Sequence, residues 1–274
     1  MSSIFEGMLL VSDIDGTLTA GDSIPQRNID AIHYFEDNGG LFGIATGRAI
    51  RSAMSVVGGI RFNAPCIMSN GSVLYDAAAD KVIWDATLAP RYKEIVRYVM
   101  GKYPEAGVQG FDARHLYVLR KNAYTDEFLR CECVDYDVEI SIDEIDTPLH
   151  KVIFIDDEQR IIDMEKDMEQ YHEDAWFVRS STIFLEMLPN HVSKGAALKA
   201  LADIVGIDMK NTAAIGDFYN DRELIRTAGI GAFTAEAPEE LKAVADMVVC
   251  GRSDGAVADF IEKLEQMRKA QKGC

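Results

Sequence analysis

The sequence predicts an α/β protein, a Rossmann-like parallel-sheet core carrying an inserted α+β unit. Three observations lead there. Short continuous apolar runs near residues 8–11, 41–45 and 65–69 alternate with stretches of helical periodicity, as expected for strands covered on both faces. Each run ends at a polar turn that contains glycine. Between about residues 83 and 186 the alternation gives way to hairpin patterns mixed with helices, and it returns near Ser193. The expected organisation is therefore a core made of residues 1–82 and 187–274, with 83–186 as the inserted unit.

Taken in order, Met8 to Val11 reads as the first strand and stops at Asp13-Ile14-Asp15-Gly16-Thr17. From Pro25 to Asn38, Ala31, Ile32 and Phe35 fall on one helix face, and Gly39-Gly40 supplies the stop. Leu41 to Ala45 is the second strand, closed by Thr46-Gly47-Arg48. Another helix follows, and Pro65 to Ser69 is the third strand, ending at Asn70-Gly71. Such repetition implies a parallel sheet with right-handed crossovers. In the inserted block, Arg91 to Lys102 reads as a helix. Val108 to Phe111 and His115 to Leu119 form a hairpin around Asp112-Ala113-Arg114. Val152 to Ile155 is a strand, Ile161, Met164 and Met168 mark a helix, and strands follow near Ala175 to Val178 and Ile183 to Leu188. Back in the core, Leu198, Leu201, Ala202 and Val205 form a helix stripe. Thr212 to Ile215 is a strand ending at Gly216-Asp217. Val257, Phe260, Ile261 and Leu264 share one face of the last helix, whose basic end, Lys263 to Lys272, reads as solvated.

Composition narrows the function. With 48% hydrophobic and 27% charged residues, the chain is neither disordered nor collagen-like nor a coiled coil. Its 28 basic and 45 acidic residues give a net charge of −17, a field that repels phosphate backbones, so no nucleic-acid partner is expected. A small phosphorylated substrate stays compatible with that charge if a bound cation inverts the local sign. No run approaches the roughly 20 apolar residues of a membrane span, and the start lacks the basic region of a signal peptide. Cys66, Cys131, Cys133, Cys250 and Cys274 are odd in number and scattered, which suits reduced thiols in a cytoplasmic setting. Cys131 and Cys133 lack the further ligands that a tetrahedral zinc site requires.

Ligands of open α/β sheets bind beyond the carboxyl ends of the strands. The residues expected to converge there are Asp13 and Asp15, Thr46 and Gly47, Lys194, and Asp217, Asn220 and Asp221. Carboxylates about 4 Å apart repel by roughly 4 kcal/mol at an effective dielectric near 20. A hard divalent cation with oxygen ligands, Mg2+ above all, is the natural compensation. Lys194, Thr46 and the N–H groups around Ile14 and Asp15 could then hold phosphoryl oxygens. Asp13 and Asp15, separated by Ile14, share a face in extended geometry, so one can attack phosphorus while the other handles protons. Singly, each element has an ordinary reading: a turn, a helix cap, a surface lysine, an acidic loop. Their order and their placement at strand ends point to phosphoryl chemistry.

DIDGTLT (Asp13 to Thr19), ATGR (Ala45 to Arg48), SNG (Ser69 to Gly71), SKG (Ser193 to Gly195) and GDFYND (Gly216 to Asp221) resemble the four motifs of the haloacid dehalogenase (HAD) superfamily. The resemblance is closest to its Cof-like sugar-phosphatase branch and covers nearly all of the core, with the inserted block where that branch carries an α/β cap. It implies that Asp13 is the nucleophile and Asp15 the general acid/base. Ile14, Thr46, Gly47, Lys194 and Asn220 would bind phosphate or substrate, Asn220 alternatively orienting Lys194. Asp13, Asp15 through its carbonyl, and Asp217 would bind Mg2+, with Asp221 in support. Close relatives often carry Met-Gly-Asn-Ala after the fourth motif, where this chain has Gly229-Ile230-Gly231-Ala232-Phe233-Thr234.

The resulting expectation is a cytoplasmic, Mg2+-dependent phosphatase of small phosphorylated metabolites, sugar phosphates first, working through an aspartyl-phosphate. Two alternatives stay open: phosphohexomutase-type transfer, and a phosphate-accepting signalling protein, against which Asp15 and the inserted block argue. Asp112, Arg114, His115 and Arg120, at the presumed turns of the insert, are candidates for contact with the leaving group. His33, His150, His172 and His191 sit in no ligand-like spacing, and Asp156-Asp157-Glu158 reads as a strand end and helix start.

Overall fold

The structure, a computed structural model, describes residues 3–112, 115–131 and 138–272. Strand β1 (Leu9–Ser12) leads through an irregular turn at Ile14–Leu18 into helix α1 (Gln26–Asp37). Next come β2 (Leu41–Ile44), α2 (Ile50–Val56), β3 (Cys66–Met68), β4 (Val73–Asp76) and β5 (Lys81–Asp85). The middle of the chain forms α3 (Tyr92–Lys102), β6 (Gly107–Phe111), β7 (Leu116–Arg120), α4 (Thr125–Cys131), β8 (Val138–Glu139), β9 (Lys151–Ile155), α5 (Glu158–Met168), β10 (Trp176–Ser181) and β11 (Phe184–Leu188). Last are α6 (Lys194–Val205), β12 (Thr212–Gly216), α7 (Arg222–Thr227), β13 (Ile230–Phe233), α8 (Glu239–Lys242), β14 (Met247–Val248) and α9 (Ala256–Lys272).

Three sheets form among the described residues. The first is parallel, in the order β14-β13-β12-β1-β2. Strand β1, between β12 and β2, pairs Leu9 with Thr212 on one side and with Leu41 on the other. Side chains alternate across it, and both faces are covered. Leu10, Phe42 and Ile215 pack with Phe35 of α1 and Phe260 and Leu264 of α9. Leu9, Val11 and Ala214 pack with Leu198 and Leu201 of α6 and Leu224 of α7. Two covered faces are why β1 reads as an unbroken apolar run.

The second sheet has the order β10-β11-β9-β6-β7-β8. On one face Val108, Val152, Phe154, Leu185 and Met187 pack against Ile95 and Val99 of α3 and Ile161, Met164 and Met168 of α5. The opposite face carries Phe111, Leu116, Val118, Ile153 and Ile155, packed with Phe128 of α4.

The third sheet, β3-β4-β5, corrects an expectation. Residues 66–68 do not extend the parallel sheet as a strand. They pair antiparallel with β4 and meet the core at one isolated parallel bridge, Ala45 to Ile67. Ser69 (φ 50°) and Asn70 (φ 53°) turn the chain straight back, so a three-residue run finds its partner in the next segment. Pairing also carries past both expected unit boundaries: β5 stays with β4 up to Asp85, and β11 stays in the second sheet up to Leu188.

Smaller expectations resolve locally. Gly39 takes φ 88° just past α1, and the Asp157 side chain caps α5 by accepting from the Arg160 N–H. The Gly229–Thr234 departure is the parallel strand β13. The side chain of Cys131, with Ala113, Arg114, Cys133 and Cys274, lies outside the described residues. Cys66 is buried, and Cys66 and Cys250 are free thiols.

Candidate active site

The site is assembled at the carboxyl end of β1. Asp13 follows that strand in extended conformation (φ −63°, ψ 159°), and its N–H donates to the Ile215 carbonyl of β12 at 2.9 Å. Gly16, three residues on, takes φ 81°, a region that L side chains rarely adopt. A Cβ there would also lie 2.2 Å from Asp217 Oδ2, so only glycine lets the first motif close on the fourth.

Lys194 ties the motifs together. It opens α6 after Ser193, whose side chain caps the helix by accepting from the Ala196 N–H at 3.1 Å. The Lys194 side chain is fully buried, and its Nζ donates to Asp13 Oδ1 and to Asp221 Oδ1, each at 2.6 Å. Asp221 is saturated: its Oδ2 accepts from the N–H groups of Asp217 at 3.0 Å and Phe218 at 3.3 Å. It therefore shapes the loop and orients Lys194 together. Gly71 (φ 104°) packs the SNG turn onto this helix start, since a Cβ there would meet the Ser193 carbonyl at 2.3 Å.

Asp15 is turned the other way, half-exposed, with both oxygens held by Arg48: Nε to Oδ2 at 2.7 Å and Nη2 to Oδ1 at 2.8 Å. Thr46 is fully buried and closes its turn by accepting from the Arg48 N–H at 3.1 Å. The side chain of Ile14 belongs to the core and its carbonyl accepts from Thr19, which leaves its N–H for the site. Asn220 reaches Asn70, donating from Nδ2 to Oδ1 at 2.9 Å, rather than Lys194. Gly47 carries a carbonyl that accepts from Lys151 of β9 at 2.6 Å.

Burial and crowding set the electrostatics. Burial pushes the Asp13 carboxyl well above the usual carboxylate range; Lys194 pulls it back, while Asp221, Asp217 and Asp15 raise it further. Asp217 is pushed up to about 7 by burial and then by Asp221. For Lys194, burial alone would depress the ammonium, but Asp13 and Asp221 outweigh it and keep it protonated. Carboxylate oxygens of Asp13, Asp217 and Asp221 lie within 4.8 Å of one another. No described side chain donates to Asp217 or to Asp13 Oδ2, whereas Asp221 is fully engaged. Hard oxygen donors, crowded and partly unpaired, fit a small divalent cation such as Mg2+.

Above these groups is a cleft of about 400 Å3 whose floor includes Asp13, Asp15, Gly47, Asp217 and Asn220. Its roof comes from the second sheet and α4: Phe128, Ile153, Ser180 to Thr182, Phe184 and Glu186. Of the turn residues expected to touch a ligand, Asp112 and Arg120 make local hydrogen bonds, and Arg114 lies outside the described residues. Asp112 accepts from the His115 N–H and the Tyr117 hydroxyl, and Arg120 caps the end of α3 by donating to the carbonyls of Met100 and Tyr103. Sequence reasoning missed Glu186, Lys151 and Arg252 of the cleft and its supports. For the first two a signal was present: a charge inside the apolar run FLEML and another opening KVIFI.

A model of the haloacid dehalogenase-like hydrolases matches residues 10–261. The chain is 27% identical over 266 residues to an HMP-PP phosphatase of Yersinia enterocolitica, covering 93% of this chain and 94% of that one. It is 28% identical over 260 residues to a phosphoglycolate phosphatase of Methanopyrus kandleri, covering 93% and 96%. Among solved structures, a HAD subclass IIB sugar phosphatase superposes with a TM-score of 0.82 at 21% identity, covering 93% of this chain and 98% of that one. The chain thus belongs to the haloacid dehalogenase-like hydrolase family and, within it, to the Cof-like phosphatases, which are phosphoric monoester hydrolases.

Proposed function

We propose that this protein hydrolyses small phosphorylated metabolites, sugar phosphates foremost, through an aspartyl-phosphate on Asp13 with Mg2+ as cofactor. The carrying observation is the Asp13 carboxylate, buried at the end of β1, with one oxygen fixed by Lys194 and the other open to the cleft. Asp13 Oδ2 attacks phosphorus as the ester P–O bond breaks, and Asp15 gives a proton to the departing oxygen. Asp15 then takes a proton from water, whose oxygen attacks phosphorus and frees the Asp13 carboxylate. Lys194, the Thr46 hydroxyl and the N–H groups of Ile14, Asp15 and Gly47 balance charge on the phosphoryl oxygens. Asp13, Asp217 and the Asp15 carbonyl would hold Mg2+, with Asp221 behind them; when bound it supplies Lewis-acid stabilisation of that charge. Asp15 must leave Arg48 to act, which makes that ion pair a resting arrangement. The inserted segment, residues 83–186, serves as the cap that roofs the cleft and excludes water.

The test is phosphate release from a panel of sugar phosphates and p-nitrophenyl phosphate, with Mg2+ and again with EDTA. Release is expected with the metal and loss of it with the chelator; transfer between sugar hydroxyls without free phosphate would sink the reading in favour of a mutase. Asp15→Asn is expected to lower kcat by about 10²–10⁴-fold, the usual contribution of general acid–base catalysis. The deficit should shrink for p-nitrophenyl phosphate, whose leaving group hardly needs a proton.

A further inference from the structure

Two charges sit where an apolar sheet face is expected. Glu186 of β11 and Lys151 of β9 are 2% and 1% exposed; Glu186 interrupts an otherwise apolar strand and Lys151 opens one. Lys151 Nζ is fully used: it donates to the Gly47 carbonyl at 2.6 Å and to Glu186 Oε2 at 3.2 Å, and lies 4.6 Å from the centre of the Phe111 ring. Glu186 is only half used. Its Oε1 takes no hydrogen bond from the described residues and stands beside Gly47, 3.2 Å from where a Cβ would be. Its carboxylate lines the cleft over the catalytic floor.

A pair needed only to join two units could be replaced by apolar side chains at no loss of stability. What distinguishes this pair is an open acceptor turned into the cleft, among other polar groups without partners. Ser180 Oγ, on the same roof, is unpartnered among the described residues. Gln109, fully buried, lies in the same cross-strand row as Glu186 and Ile153, and both its amide atoms lack partners among the described residues. Buried polar groups are normally satisfied, so Glu186 Oε1 and Ser180 Oγ, whose residues line the cleft, are open to a polar guest or its water.

We propose that Glu186, held in place by Lys151, selects the leaving group by accepting a hydrogen bond from a hydroxyl or amino group on it. The inference rests on the phosphatase reading for the ligand's phosphate end. The neighbouring rings of Phe128 and Phe184, 5.4 Å apart at right angles, add an apolar wall, so the favoured leaving group is neutral or cationic and bears such a donor.

The test uses ethyl, 2-hydroxyethyl and 2-aminoethyl phosphate with the full-length protein and its Glu186→Gln variant. Lys151 needs an acceptor, so the Gln carbonyl faces it and an NH2 donor faces the cleft. In the wild type, kcat/KM for the two donor-bearing esters is expected to exceed that for ethyl phosphate by about tenfold, the worth of one charge-assisted hydrogen bond. In Glu186→Gln the ratio for the ammonium ester should fall toward one, since an ammonium has no acceptor for the NH2, whereas the hydroxyl ester, whose oxygen can accept from it, loses less. Glu186→Asp, which keeps the charge but withdraws it, should lose the ratios too and serves if the first variant does not fold. Ratios unchanged in the variants overturn the inference. If no ester is hydrolysed, the phosphatase reading falls, and the same ratios of Kd, measured by calorimetry, decide the role of Glu186 on the same criteria.

Discussion

Asp13→Asn is expected to end turnover, by a factor of about 10⁴ or more, as removal of a covalent nucleophile does. The substitution is nearly isosteric. The amide oxygen still accepts from Lys194, and the atom facing the cleft becomes a donor that cannot attack phosphorus. Stability should move the other way. The folded protein raises the Asp13 pKa, chiefly through burial, so at neutral pH its ionised form costs folding free energy, a cost that disappears as pH falls toward the ordinary carboxylate range. Asn carries no such cost. Without metal at pH 7, the variant should therefore melt no lower than the wild type. Phosphate release above a ten-thousandth of the wild-type rate from cleanly purified variant would remove Asp13 from the chemistry.

Lys194→Met is expected to have the largest effect on stability. It strands two buried carboxylates that Lys194 holds at 2.6 Å, and breaking a buried pair on one side costs about 3–5 kcal/mol. In a chain of this size that corresponds to a fall in Tm on the order of 10 °C. Hydrolysis should be lost as well, because the phosphoryl oxygens lose a fixed cation. The double variant Lys194→Met with Asp13→Asn separates the causes: if stranded charge is responsible, it melts higher than Lys194→Met alone. Urea or thermal unfolding of the four proteins closes the cycle, and strict additivity would mean that the two residues do not interact as drawn.

Much of this protein is legible before any coordinates. Apolar runs bounded by Gly-containing turns locate β1, β2 and β12, and the i, i+3, i+4 stripes locate α1, α6 and α9, because burial on a regular element imposes its period on the sequence. The residues of the candidate floor stand out for a related reason. Asp13, Thr46, Lys194 and Asp217 each follow a strand or open a helix, and the parallel topology brings such positions to one edge. The short strands β13 and β14 carry too little pattern to be seen, and β3 shows how a brief run conceals its partner.

What the chain alone determined was thus its class, its alternating core and the set of polar groups gathered at the strand ends, since these follow from local periodicity and order. Tertiary structure decided the pairings between groups far apart in sequence. Only there does Asp221, rather than Asn220, hold Lys194; only there does Asp15 meet Arg48, and Lys151 of the insert reach Gly47 of the core. The exposed turns of the insert looked suited to a ligand, yet the roof is built from the interior face of its sheet, Glu186 included. The physical reason is that a strand's period shows which residues share a face but not what that face is packed against. A charge buried in an apolar strand is the one local sign that something beyond packing is there.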